Sequence, residues 1–166
     1  MSGQLSYNYQ PPLGIAGTLT DINNRSIDSF LNGEANPYAM KYGMGVVQGN
    51  NPGKDVLIPT ASSEAAIFEG IAMSNLTTQQ TMDGKVLVRS GETIGVLRWG
   101  RAWARIVPGL TIDREDPVYL IITGLDAGYF TNVDGDADTI SIKGTFTGKV
   151  GTGDIAEINL RNQMNE

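Results

Sequence analysis

Short apolar segments separated by glycine-rich turns run through most of the chain, and this spacing constrains the fold more than any other feature. The most apolar segment is residues 117–123, and the densest turn signal is residues 49–53, Gly-Asn-Asn-Pro-Gly. No stretch has the long 3.6-residue apolar period of an amphipathic helix, and only residues 26–31 predict a short helical turn. Recurring short strands with turn signals indicate a sandwich or barrel. We therefore predict an all-β, single-domain antiparallel β-barrel or sandwich with an extended N-terminal arm and at most one short helix.

The predicted domain spans residues 15–166 and follows an arm at residues 1–14. Two tyrosines and a pair of prolines without an apolar period mark the arm, and paired prolines favour an extended path. Such an end is either disordered or becomes ordered on a neighbour, where tyrosines are enriched. The other predicted strands are residues 15–19, 42–48, 55–59, 66–73, 85–88, 92–99, 101–107, 129–133, 139–146 and 154–160.

The absence of two residue types excludes most of the common catalytic and metal chemistry. The chain has no cysteine and no histidine, which removes disulfides, structural zinc and nucleophiles activated by histidine. The net charge of -6 argues against sequence-independent binding of nucleic acid. The first residues do not form a signal peptide, and no apolar run approaches the length that spans a bilayer. We therefore expect no cofactor, no metal, no membrane partner and no small-molecule substrate.

The acidic residues offer two weaker candidate sites. Asp134, Asp136 and Asp138 alternate as at the start of an EF-hand loop, but threonines stand at positions six and twelve, where calcium loops need glycine and glutamate. We therefore interpret this segment as a solvated turn. The acids around residues 113–116 precede a predicted strand, and nothing places two of them across a cleft as glycoside hydrolysis requires.

The strongest candidate for a contact surface is the stretch at residues 92–106, which contains both tryptophans of the chain. It predicts two short strands joined at Gly100. If side chains alternate, Trp103 lies between two arginines on one face of the second strand, and Ala102, Ala104 and Ile106 form the opposite face. Trp103 is then either a core residue with arginines at its edges or an anchor for a partner, and we favour the anchor because the small-residue face packs more naturally inward. The predicted interface residues are Tyr7, Tyr9, Pro11, Pro12, Arg98, Trp99, Arg101, Trp103 and Arg105.

The charge distribution supports a contact surface in the same region. Residues 89–114 contain five arginines and two acidic residues, whereas residues 115–138 contain six acidic residues and no basic one. A basic patch on an acidic body fits an acidic neighbour or another copy of the chain, and such complementarity favours docking and register.

Several stretches occur in an order that resembles one known family. These are residues 7–17 (YNYQPPLGIAG), 68–72 (FEGIA) and 91–103 (GETIGVLRWGRAW), followed by 117–120 (PVYL) and 128–131 (GYFT). They resemble the N-terminal arm, the early strand and the repeated turn-and-strand rhythm of the structural cement, or capsid decoration, proteins of tailed bacteriophages. The second copy of the rhythm has Arg-Glu-Asp-Pro where the family has a Gly-Asp turn.

The resemblance implies a β-barrel-like body without catalytic activity, many copies of which bridge major capsid proteins on the outside of a phage head. We therefore expect a non-enzymatic virion protein that is made in the host bacterial cytoplasm. Its expected partners are the major capsid protein and other copies of itself, as a dimer or trimer. Two alternatives remain. One is a carbohydrate- or receptor-binding module of a tail or baseplate, with Trp99 or Trp103 as a stacking platform, and the weaker one is a hydrolase that uses acids between Asp113 and Asp138.

Overall fold

The computed structural model describes residues 14–64, 67–74, 79–80, 82 and 86–162, and these residues form an all-β domain, as the sequence predicts. Apart from short 3-10 turns such as Asp136–Asp138, the described residues contain no helix, and none of them belongs to a helix that could cross a membrane. The described strands are β1 (Ser26–Asn32), β2 (Gly45–Gln48), β3 (Asp55–Leu57), β4 (Phe68–Ala72), β5 (Gln79–Gln80), β6 (Val86–Leu87), β7 (Thr93–Arg105), β8 (Arg114–Ile121), β9 (Phe130–Thr131), β10 (Thr139–Val150) and β11 (Ile155–Leu160).

Five strands close into a small barrel in the order β1-β3-β2-β4-β7, because β7 also pairs with β1. The strands of each pair run antiparallel except β1 and β3, which are parallel. Alternate side chains of these strands point into the barrel and bury one apolar core. Its members include Phe30, Met40, Tyr42, Val46, Val56, Val88, Ile94 and Val96.

A second layer, in the order β7-β11-β10-β8-β9, extends from the same strand β7. Strand β9 forms the far edge of this layer, and a parallel bridge joins its Phe130 to Ile106, the residue just after β7. The core of this layer also takes side chains from the outer wall of the barrel, and the rings of Phe68 and Phe130 meet edge to face at 6.4 Å between centroids. Strand β7 therefore belongs to both layers, and its integrity is required for both cores.

Strand β7 is continuous over 13 residues, so the hairpin predicted at Gly100 is wrong. Gly100 has φ +129°, and a Cβ there would lie 2.9 Å from the backbone oxygen of Asn24, so this position bends the strand without reversing it. The bend exchanges the faces of the strand. In a regular strand, Leu97 and Ala102 would point to opposite faces, because they are five residues apart. Here both side chains lie in the same core. The prediction that Ala102 and Ala104 face inward is confirmed, since both are fully buried.

Residues 26–31 form most of strand β1, so the helical turn predicted there is also wrong. From Ile27 to Leu31 the strand pairs residue by residue with β7, and Phe30 and Asn32 point inward. A six-residue segment is too short to distinguish the apolar period of a helix, 3.6 residues, from that of a strand, 2 residues. The pairing with β7 makes this segment a strand. Of the predicted first strand at residues 15–19, the structure retains a single antiparallel bridge between Leu19 and Ala102.

Candidate interface

The segment at residues 14–20, which we call the strap, runs beside the second half of β7 on the edge that β11 leaves open. The Gly17 amide donates to the Trp103 carbonyl at 2.8 Å, and the Trp103 amide donates to the Thr18 carbonyl at 3.0 Å. On the other side of the strap, the Ser74 amide donates to the Gly17 carbonyl at 2.7 Å. The strap is thus held by backbone hydrogen bonds on two sides, like an added strand.

The indole of Trp103 is covered by the start of this strap. Trp103 is 8% exposed, and a Cβ built on Gly14 would lie 2.5 Å from the Cδ2 atom of the indole. Only glycine permits so close an approach between backbone and ring, and Gly14 also has φ +79°, a conformation that glycine adopts readily. Trp103 therefore packs on the outer face of β7 against its own chain.

Two of the predicted interface arginines have partners within the described chain. Arg105 donates from Nε to the carbonyl of Tyr42 at 2.7 Å. Arg98 forms an ion pair with Glu69, and the two side chains are 21% and 14% exposed. Salt screens a pair so far withdrawn from water less than a pair on the open surface, and removing either partner leaves the other charge uncompensated. The Arg98 pair thus joins β7 to its neighbour β4, and Arg105 joins the end of β7 to the segment before β2.

Glu157 lies directly opposite Trp103 in the sheet and supports the same region. Its side chain is 2% exposed, and both oxygens of its carboxylate have partners. Thr20 of the strap donates to Oε1 at 2.7 Å, Thr147 donates to Oε2 at 2.9 Å, and the Lys149 ammonium lies 3.2 Å from Oε2. Burial raises the pKa of Glu157, but the three hydrogen bonds and the charge of Lys149 lower it by more, so the carboxyl stays ionised.

A surface pocket of about 380 Å³ opens where β7 bends, and we call it the Trp99 pocket. Trp99 is half-buried in its wall, and Arg101 is exposed beside it. Strand β7 positions both residues, because the bend at Gly100 lies between them. The pocket is lined by Asp21, Asn24, Trp99, Gly100, Arg101, Asn159, Leu160, Arg161 and Asn162.

The structure places the predicted interface residues in three different situations. Trp99 and Arg101 meet at the pocket, Trp103 lies under the strap, and Arg98 and Arg105 have partners within the chain. Nearly all of the predicted arm lies outside the described residues, including Tyr7, Tyr9, Pro11 and Pro12. That these residues contact a partner stays a prediction.

Sequence reasoning missed two elements of this region, Glu157 and Arg161. In the sequence, Glu157 interrupts the apolar run of β11 and has the pattern of a solvent-exposed acid. Its partner Thr20 is 137 residues away, so the local pattern does not indicate that the carboxylate is buried and hydrogen-bonded. Arg161 reaches the pocket only because β11 ends beside the bend of β7, where Leu160 lies opposite Gly100. The local sequence carries no signal for either contact.

The acidic candidates form hydrogen-bonded loops. Asp134 Oδ1 accepts the Asp136 amide at 3.1 Å, and Asp116 Oδ2 accepts the Asp113 amide at 2.9 Å. The Asp113 amide and the side chain of Asn132 lower the pKa of Asp116, against a smaller opposing effect of burial. Within the described ranges, no three acidic side chains are grouped so that they could hold a metal ion.

Comparison with known proteins identifies the family. The family model described as "Structural cement protein (E217 gp24/Pam3 gp6)" matches residues 4–161, which is nearly the whole chain. The chain belongs to this family of phage structural cement proteins. The resemblance stated from the sequence is therefore confirmed, and the protein is a structural component of the virion.

A solved structure supports the fold independently. A chain from "The capsid of Myoviridae Phage XM1" superposes with a TM-score of 0.75 over 99% of this chain and 100% of the other, at 16% sequence identity. At that identity the similarity shows a shared fold. No curated protein matches the chain.

Proposed function

We propose that this protein binds the outside of a phage head and cements neighbouring major capsid proteins, without catalysing a reaction. The observation that carries the proposal is the family match, which spans residues 4–161. The similarity of the whole fold to a chain from the capsid of phage XM1 supports it. The major capsid protein is thus the principal partner, and other copies of the chain, in a dimer or trimer, are the second.

Cementing needs contact area and a rigid body. A protein that binds the assembled shell and not the separated subunits raises the stability of the shell by mass action. Strand β7 runs through both layers and presents Trp99 and Arg101 at the surface, and these residue types dominate the energetics of interfaces. We assign the pocket side of β7 to contacts with neighbours, and Trp103 and Arg105 to holding that face in place.

The arm is the second proposed contact. Its residues Tyr7, Tyr9, Pro11 and Pro12 lead into the strap, whose position on β7 fixes where the arm joins the domain. An extended segment that becomes ordered on a neighbouring subunit adds contact area at an entropic cost, and prolines reduce that cost by restricting the unbound chain. The copies of the protein are proposed to be made in the cytoplasm of the host bacterium and to decorate the exterior of the capsid.

Cosedimentation with phage heads that lack this protein tests the proposal. We expect saturable binding and a higher melting temperature of decorated heads than of bare heads. Arg101→Ala is expected to weaken binding, and Arg114→Ala is the matched control, because that side chain is 83% exposed elsewhere on the surface. Absence of binding by the full-length protein would contradict the proposal. Glycan binding that is lost in Trp99→Ala would instead support the carbohydrate-binding alternative.

A further inference from the structure

The Trp99 pocket combines positive charge with apolar surface. Arg101 and Arg161 line it, and Arg25 is adjacent, since its Cβ lies 3.1 Å from a Cβ built on Gly100. Among the described residues that line the pocket, Asp21 is the one acidic residue, against the two basic residues Arg101 and Arg161. Within the described part of the chain, the Arg101 side chain enters no ion pair. Such a site fits a carboxylate-bearing protein segment, because guanidinium groups bind carboxylates through paired hydrogen bonds.

A segment with the complementary chemistry is present in the same molecule. The loop at residues 134–138 carries Asp134, Asp136 and Asp138, all exposed. Hydrogen bonds hold its shape, since Gly135 donates its amide to Thr139 Oγ1 at 2.9 Å. The loop is therefore ordered before any partner arrives, which lowers the entropic cost of binding.

The two surfaces match in apolar character as well as in charge. Ile22 follows Asp21 at the rim of the pocket and is 73% exposed, and Val133 precedes the acidic loop and is 59% exposed. Each surface thus pairs its charged groups with one exposed aliphatic side chain. An interface buries such side chains together, while the charges set the register.

The positions of the two surfaces permit a reciprocal contact. The pocket lies where Gly100 is opposite Leu160, and Leu160 is in turn opposite Gly144 of β10. Strand β10 extends from Gly144 back to Thr139, a distance of about 17 Å, and the acidic loop precedes it. Pocket and loop therefore lie toward the same end of the second layer. Two copies related by a two-fold axis at that end could each offer one pocket and one loop.

We infer that the Trp99 pocket of one copy receives the acidic loop of a second copy, so that two equivalent contacts join a symmetric dimer. The inference specifies the self-association in the proposed function and rests on it. It assigns the pocket to another cement protein chain, and binding of a capsid protein segment there is the competing outcome.

Analytical ultracentrifugation of the full-length protein without heads tests the dimer. The wild type should dimerise, and either Arg101→Glu or Asp136→Arg should raise the dimer dissociation constant by at least about tenfold. Arg114→Glu is the matched control and should leave dimerisation unchanged. Circular dichroism of each variant shows whether it remains folded.

Mixing the two variants gives the decisive result. In a mixed dimer, the pocket that carries Arg101→Glu faces the loop that carries Asp136→Arg, and the second contact keeps its native charges, so an equimolar mixture should recover the dimer. A monomeric wild type, or a mixture that stays monomeric, would overturn the inference. Cosedimentation in parallel separates the two proposals, since a monomer that still binds heads contradicts only the dimer, and a dimer that does not bind heads contradicts only the cementing.

Discussion

Trp103 packs its indole directly on the backbone of Gly14, and this contact fixes the start of the strap on the outer face of β7. A Cβ on Gly14 would lie 2.5, 2.6 and 2.9 Å from three carbons of the ring. Three residues further along the strap, the Gly17 amide donates a hydrogen bond to the Trp103 carbonyl. One tryptophan thus holds the N-terminal segment through both its side chain and its backbone.

Gly14→Ala is therefore expected to destabilise the protein, because the new methyl group overlaps the indole. Gly53→Ala is the matched control, since Gly53 has a similar φ of +75° and nothing within 4 Å of its Cβ. We expect the free energy of unfolding to fall by about 1–3 kcal/mol more in Gly14→Ala than in the control, as measured by urea denaturation. Equal effects of the two substitutions would show that the contact does not constrain the strap.

Gly100→Ala is expected to weaken both cores, because the bend of β7 depends on a backbone conformation that alanine avoids. The strain alone is expected to lower the free energy of unfolding by about 1–3 kcal/mol. Gly91→Ala is the control, with φ +74° and open space around its Cβ. Thermal unfolding monitored by circular dichroism measures the difference. A Gly100→Ala protein as stable as the control would contradict the role of the bend.

Glu157 predicts how the stability depends on pH. Its pKa is lowered in the folded protein, so its contribution is present above the ordinary glutamate pKa of roughly 4.3 and is lost as the pH falls through the folded value. Stability should therefore decline on acidification below about pH 4. In Glu157→Gln the decline should be shallower, whereas exposed Glu115→Gln should retain it. Urea denaturation across pH 3–7 gives the slopes, and parallel slopes for wild type and Glu157→Gln would contradict this assignment.

Two truncations separate the strap from the arm. Deleting residues 1–13 keeps Gly14 on Trp103, so the free energy of unfolding should change by less than about 1 kcal/mol, while binding to heads weakens if the arm contacts a neighbour. Deleting residues 1–20 also removes Thr20 from buried Glu157 and uncovers Trp103. This loss should lower the free energy of unfolding by more than about 3 kcal/mol. Identical head binding by the wild type and the shorter truncation would argue against a role for the arm.

The sequence predicted the fold class because alternation and turns are local signals. The inward face of Ala102 and Ala104 followed from small side chains at every second position. The hairpin at Gly100 was wrong for a physical reason, since a glycine between two strand-like segments is equally compatible with a turn and with a bend. The contacts of Glu157 with Thr20 and of Leu160 with Gly100 join distant parts of the chain, so no local pattern could predict them.

Electron cryomicroscopy of heads decorated with the full-length protein tests the cementing function most directly. We predict density for the barrel on the outer surface, located across the boundaries between neighbouring major capsid proteins, with the Trp99 side of β7 at a contact. Heads that carry no such density at saturating protein, or density confined to the tail, would contradict the proposed function.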